Sequence, residues 1–412
     1  MKGKISHAAR YAEEHPSAIR EIMNVVSEFK SHPERFPRPL IYFGGGWPQD
    51  DTPPVLKQKL LEVINDHDSW IDSIRYGPTR GKPNFLDGIV NYEEKVFGRK
   101  GVDENELLAG SGSTELTAAF MMAVTDPGDE IILTQPSYLN YPRQIQIEFM
   151  LGAHYKEWPL IKDHKFAPDI EELKEMITDK TRMLVITAPG NPDGQVPDDE
   201  LMNAVNDLAE DHGFWVVVDV AYRAFFFDGI PKYFQRPRRE NEIWMASLSK
   251  EFRIPGWRIA YSIADAELTA AVTNIEQARV LCANSMVQNA LAGVFNDNDA
   301  LKSVKQYYDE GVVKYKDMAE YTVKTLNEKI QNLGVLEPKG GFYVFFDASH
   351  YSNDSKKMCA DLLDEYQVAL APGKDFGMEG WLRLSYAPIV EERETLVEGL
   401  DRMAEFFAKR QK

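Results

Sequence analysis

Between about residues 105 and 262, short apolar runs recur without polar interruption, and stretches with apolar positions at helical spacing separate them. Ile131-Ile132-Leu133, Met183-Leu184-Val185-Ile186 and Phe214-Trp215-Val216-Val217-Val218 are three such runs. A half-exposed strand alternates apolar and polar residues. A run that is apolar at every position suits a strand covered on both faces, as in a parallel sheet. Strand and helix in alternation predict an α/β fold, built on a mainly parallel, doubly wound sheet with helices on both faces.

The flanks read differently. Residues 6–30 carry Ala18, Ile19, Ile22, Met23 and Val26 at helical spacing and predict an amphipathic helical start. A charged loop with three prolines follows over residues 31–39. Leu40-Ile41-Tyr42-Phe43 is strand-like and ends in Gly44-Gly45-Gly46, where the backbone can turn sharply or approach a ligand. Beyond the central block, residues 264–282 predict a helix and 285–334 are largely helical. Strands are expected after Gly340-Gly341 and over Trp381–Ala387. This pattern predicts an N-terminal arm over residues 1–50, a large domain over 51–299, and a smaller α+β domain over 300–412 that the arm completes.

Length and charge narrow the function. The chain has 412 residues, room for two or three domains rather than one small core. Its net charge of −18 speaks against nucleic acid or an anionic membrane as partner, because both select a basic face. Cys282 and Cys359 are too few for a disulfide framework or a metal cluster, so no metal site is expected. No stretch approaches the length of a membrane span, and no apolar run of a signal peptide follows Met1–His7. A soluble, cytoplasmic protein is expected.

The candidate chemistry centres on Ser247-Leu248-Ser249-Lys250, followed by Pro255-Gly256-Trp257-Arg258. An amine that bonds covalently to an aldehyde needs cationic neighbours that lower its pKa and small neighbours that leave room. Ser247, Ser249 and Arg258 are also residue types that hold a phosphate by charge-assisted hydrogen bonds. A Gly/Ser/Thr loop, Gly110-Ser111-Gly112-Ser113-Thr114, opens a helix and offers free N–H groups to an anion; Ser113 and Thr114 serve equally well as a helix start.

Asp219 ends the most apolar of the runs. A carboxylate there is costly unless a cation meets it, and open α/β sheets bind ligands at such strand ends. Tyr138 follows another strand end, where its ring can stack on a heteroaromatic. Tyr141 reads as a packed aromatic, Asn191-Pro192 as a turn. Arg383, inside an alternating strand, points to one face and can grip a carboxylate through two hydrogen bonds.

Each feature has an ordinary structural explanation, but their order along the chain does not. The lysine stretch resembles the Ser-x-Ser-Lys-x-x-x-x-Pro-Gly-x-Arg signature of class I/II aminotransferases of pyridoxal-phosphate fold type I. Tyr76, Ser113, Tyr138, Asn191, Asp219, Tyr222, Lys250, Arg258 and Arg383 match that family in sequence order over nearly the whole chain. The resemblance implies pyridoxal 5'-phosphate as cofactor, covalently attached to Lys250. It implies a phosphate held by Ser113, Thr114, Ser247, Ser249 and Arg258, with Tyr76 reaching across from a second subunit. Asp219 would meet the ring nitrogen, Tyr138 the ring face, and Asn191 and Tyr222 the phenolic oxygen. Lys250, Asp219 and Tyr222 would be catalytic. Arg383, with Gly46 and Asn191, would bind the substrate.

The implied activity is ping-pong transfer of an amino group between an L-amino acid and a 2-oxo acid, in a homodimer with shared sites. A lyase, an aminocyclopropane-carboxylate synthase, an oxidase on the same scaffold and a cofactor-binding non-enzyme are the alternatives. The aspartate-specific branch of the family carries a second arginine for the distal carboxylate; here the matching position within Gln277–Asn284 falls on Cys282.

Overall fold

The computed structural model describes residues 4–16, 18–148 and 153–410. Its centre is a seven-stranded sheet. In spatial order the strands are Leu107–Gly110, Ala260–Ile263, Glu242–Ser247, Trp215–Asp219, Thr181–Thr187, Glu130–Gln135 and His154–Pro159. Only Ala260–Ile263 runs antiparallel to its neighbours, and the rest pair in parallel. The sheet is mainly parallel, as the unbroken apolar runs predict.

The pleat divides each run between two cores. Ile131, Leu133, Met183, Val185, Val217, Ile243 and Met245 pack on one side with Leu116, Phe120 and Tyr141. Ile132, Leu184, Ile186, Val216, Val218 and Trp244 pack on the other with Phe85, Ile89, Met202 and Phe295. Successive side chains point to opposite faces, so burial of both faces demands an apolar residue at every position. The covering helices are punctuated locally. In Pro83–Phe97 a proline opens the first turn and Gly98 closes the last with φ +74°. In Asp199–His212, Asp198 caps the N–H of Leu201.

A second sheet of four strands contains Gly334–Val335, Tyr343–Asp347, Trp381–Ser385 and Ala371–Pro372 in that order, all antiparallel. Trp381–Ser385 is an interior strand and is buried throughout, so Arg383 does not sit on an alternating edge strand. Strand Ile41–Tyr42 pairs in parallel with Val368–Ala369, which ties the start of the chain to its end.

The predicted helical start over 6–30 is two helices, His7–Glu14 and Ala18–Ser31. Pro16 accounts for the break, since a proline drives the residue before it out of helical geometry; His15 has φ −123° and ψ 71°. The side chains of Ala18, Ile19 and Ile22 lie outside what the structure describes, while Val26 is buried and Met23 exposed. Among the described residues, no helix is long and apolar enough to cross a membrane. None of their His, Cys, Asp and Glu side chains gather in threes to hold a metal ion.

Candidate active site

The site forms where the strands of the large sheet end. Ala260 pairs with both Gly110 and Ser247. Arg258, two residues before Ala260, therefore stands over the ends of two strands that are 137 residues apart in sequence, by subtraction of 110 from 247. Its guanidinium lies against Gly112: a Cβ there would come within 2.1 Å of Nη2. Gly112 has φ +108°, a second reason for glycine. It is also the cap of helix Ser113–Val124, whose N-terminus has no side-chain cap. Ser113 is thus the first helical residue and not the cap. Free N–H groups, the positive end of the helix dipole and an arginine converge here.

Two further features fit a phosphate. The Ser249 hydroxyl is buried and has no hydrogen-bond partner among the described residues. Leaving such a group unpaired costs about 1–3 kcal/mol, which an acceptor oxygen would offset. Arg258 itself holds φ +53°, a conformation that costs a non-glycine residue of order 1–3 kcal/mol and clusters at functional sites. Ser247 is buried at the same strand end. Thr114 sits close enough to the Tyr138 hydroxyl to oppose the rise that burial gives its pKa, which joins the phosphate end to the aromatic.

Lys250 stands on the helical turn Leu248–Glu251. Its ammonium is pushed down to about 8, first by burial and then by the positive charges of Arg258 and Arg383, with Asp219 opposing. One amine thus feels all three charged residues.

Asp219 is buried, and burial raises its carboxyl above the ordinary range. The Ala221 N–H donates to Oδ1 at 3.0 Å, and the Tyr141 hydroxyl donates to Oδ2. A carboxylate so desolvated, with Lys250 the one cation among the described residues acting on it, suits a pyridine N–H. Tyr141 is a site residue that sequence reasoning took for a packed aromatic. Its signal was a second hydroxylated ring three residues, about one helical turn, after Tyr138.

Arg383 is 2% exposed. Nη1 donates to Asn191 Oδ1 at 2.9 Å and Nη2 to the Gly44 carbonyl at 2.9 Å, while buried Nε has no partner among the described residues. The rings of Tyr343 and Phe376 lie 4.5 and 4.7 Å from the guanidinium carbon. Asn191 Nδ2 in turn donates to Tyr222 Oη at 3.0 Å, and Tyr222 shares a hydrogen bond of 3.1 Å with Tyr343. Of the three glycines, Gly44 makes the polar contact. Gly46 faces the Tyr343 hydroxyl, which a Cβ would approach to 3.1 Å.

The structure therefore brings together Ser113, Thr114, Tyr138, Asn191, Asp219, Tyr222, Ser247, Ser249, Lys250, Arg258 and Arg383. It does not bring Tyr76 to them: that ring is 84% exposed on its own chain. Its loop is pinned, with Ser285 Oγ donating to the Arg75 carbonyl at 2.9 Å. Gly44, Tyr141 and Tyr343 are the additions that sequence reasoning missed.

A site of this kind belongs to a known class of enzyme. The model of the family described as "Aminotransferase class I and II" matches residues 38–400, and the chain belongs to that family. An aspartate aminotransferase of Pyrococcus horikoshii is 30% identical over 390 residues, covering 94% of this chain and 93% of that one. A solved single mutant of the Thermus thermophilus aspartate aminotransferase superposes with TM-score 0.86 at 25% identity, covering 98% of this chain and all of that one. The aromatic aminotransferase from Pyrococcus horikoshii OT3 superposes with TM-score 0.80 at 26% identity, covering 93% and 99%. The protein is accordingly a pyridoxal-phosphate-dependent aminotransferase of fold type I, passing an amino group between amino acids and 2-oxo acids. These names do not favour a lyase, synthase, oxidase or non-enzyme.

Proposed function

We propose that Lys250 carries the cofactor and moves the Cα proton, with the substrate carboxylate on Arg383. The observation that carries this reading is the amine's buried setting beside Arg258 and Arg383, which holds it at about 8. Bound pyridoxal phosphate supplies an aldehyde that takes up the amino group and a ring that draws electrons from Cα. Gly112, Ser113, Thr114, Ser247, Ser249 and Arg258 hold the phosphate, and Tyr76 joins them from a second copy of the chain. Asp219, kept in place by Tyr141, holds a proton at the ring nitrogen. Tyr138 covers the ring, while Asn191 and Tyr222 donate to its phenolic oxygen. Lys250 Nζ, about half neutral at pH 8, would take up and give back the substrate's Cα proton. Tyr222 orients that exchange. The free Nε of Arg383 and the backbone near Gly46 receive the substrate.

Arg383→Ala should weaken amino acid and 2-oxo acid binding alike, since both carry the same α-carboxylate. Losing a buried charged partner costs about 2–4 kcal/mol. Apparent affinities for both substrates check this, and unchanged values place Arg383 outside the site. Donor preference is read from a panel of aspartate, aromatic, 2-aminoadipate, branched-chain and alanine donors against 2-oxoglutarate, pyruvate and oxaloacetate.

The assembly we infer is a twofold homodimer with shared sites. Supporting it, Leu61, Ile64, Trp70, Ile74 and Tyr76 are exposed apolar or aromatic side chains within sixteen residues of one another, counting 61 through 76. Such a surface suits a second copy of the chain. Mixing Lys250→Ala with Tyr76→Ala chains should restore about a quarter of all sites to native composition. The assay needs limiting cofactor, since excess masks a lost phosphate contact. Activity no higher than the mean of the parents, with heterodimers confirmed by native mass spectrometry, would falsify the shared site.

Within each copy, the large domain over 51–299 holds the seven-stranded sheet. The small domain over 300–412 holds the four-stranded sheet, and the arm over 1–50 joins it; the pairing of Ile41–Tyr42 with Val368–Ala369 supports that grouping. Cytoplasmic residence is supported by two free cysteines, and cell fractionation checks it.

A further inference from the structure

Behind the site lies a second set of charges that the amino-transfer chemistry does not use. Arg223 follows Tyr222, and Glu251 follows Lys250. Arg223 Nε donates to Glu251 Oε1 at 2.7 Å, Nη1 to Glu93 Oε1 at 2.6 Å, and Nη2 to Tyr261 Oη at 2.5 Å. The other oxygen of Glu251 accepts from Tyr92 at 2.5 Å. The Arg223 and Glu251 side chains are 2% and 0% exposed. Arg253 holds the same turn by its backbone, donating Nη1 to the Glu251 carbonyl at 2.8 Å and to the Lys250 carbonyl at 3.2 Å.

A buried ion pair is a poor source of stability, because desolvation offsets the attraction; apolar replacements of similar size are often as stable. What a guanidinium fork supplies is direction, since its planar donors hold several acceptors at set angles. Three of those donors are engaged by the protein itself, so Arg223 is not poised to bind substrate. Nor does the pair act on Lys250 by charge. The charges that shift that amine are those of Arg258, Arg383 and Asp219. The remaining role is mechanical. Tyr222 and Lys250 stand on separate turns after separate strands, and the pair is a direct side-chain tie between those turns.

We propose that Arg223 and Glu251 are positioning residues whose buried pair fixes Lys250 Nζ and Tyr222 Oη relative to each other. The inference rests on the reading of Lys250 and Tyr222 as site residues.

The test uses holoenzyme of two variants. Arg223→Met with Glu251→Met removes the pair while leaving Glu93 beside Arg99, whose Nε is 3.9 Å from it. Glu251→Gln keeps the shape and removes the charge. The double variant also takes from Glu93 its donor at 2.6 Å, so it should melt lower than the native protein while staying folded. Its kcat should fall about 10- to 100-fold, the scale of an ångström-sized misplacement, with KM changed less than about threefold. The pH midpoint of the cofactor's visible absorbance should also shift, because the lysine nitrogen moves relative to Arg258, Arg383 and Asp219. Glu251→Gln should change both in the same direction by less.

A folded double variant with native kcat and native midpoint overturns the proposal, as does a rise in KM alone. If the double variant does not fold, Glu251→Gln decides: a native kcat and midpoint overturn the proposal, and a shifted midpoint with lower kcat supports it. Failure of the underlying reading looks different. Borohydride reduction of the native holoenzyme would then leave the pyridoxyl group on a residue other than Lys250.

Discussion

Lys250→Ala loses turnover by at least about 10,000-fold, the upper range for removing a positioned proton-transfer group. The variant also loses the covalent tie to the cofactor, so the true loss exceeds that of a base alone. The fold should persist, because burial, followed by Arg258 and Arg383, disfavours the ammonium in the native protein, so its removal relieves an unfavourable charge. The phosphate cradle around Arg258 and Ser249 remains, and the variant should still bind cofactor without becoming reducible onto the protein. Single-turnover absorbance with one amino acid and no acceptor measures the chemistry; a rate within about tenfold of native would reject Lys250 as the proton carrier.

The same amine sets a pH dependence. In cofactor-free protein, capture of pyridoxal phosphate requires a neutral nitrogen. The capture rate should rise with pH through about 8 and then level off, well below the 10.5 of an unperturbed lysine. A rise that continues to pH 10 would show that neither burial nor the two arginines lower the amine.

Asp219→Asn retains cofactor and loses turnover by about 100- to 10,000-fold, the range for removing one preorganised charge from an active site. An amide has no charge with which to hold a proton on the ring nitrogen, so the ring draws electrons poorly. The neighbouring donors sharpen the test. Tyr141 and the Ala221 N–H both donate to the Asp219 carboxylate, and an Asn side chain can satisfy at most one of them as acceptor. Tyr141→Phe, which removes one donor and leaves the charge, should cost about 1.5–3 kcal/mol, roughly 10- to 100-fold. Turnover near native in Asp219→Asn, measured with cofactor bound, would remove Asp219 from the mechanism.

Arg383 and the lysine turn show where a linear reading stops. The alternation around Arg383 pointed it to one face of a strand, and that strand proves to be interior and buried throughout. Which strand lies inside depends on pairing with Tyr343–Asp347 and Ala371–Pro372, and neither neighbour can be read from the strand itself. Tyr141 passed for a packed ring because its partner, Asp219, lies 78 residues away. Gly44, unlike Gly46, meets Arg383 across 339 residues. Arg223 and Glu251, 28 residues apart, meet only in the fold, buried against each other.

What the sequence determined by itself is local. Runs apolar at every position require strands covered on both faces, so the parallel α/β core was legible. Residues whose chemistry depends on their own turn or strand end were legible too: Asp219 after an apolar run, Lys250 beside two serines, and Gly112 before a helix. The tertiary structure alone decided which strand ends meet. Ala260 pairing with both Gly110 and Ser247 is what sets Arg258 over the helix that starts at Ser113. Strand order and register are fixed by the sum of many weak packing contacts across the whole sheet, and no short stretch of sequence contains that sum.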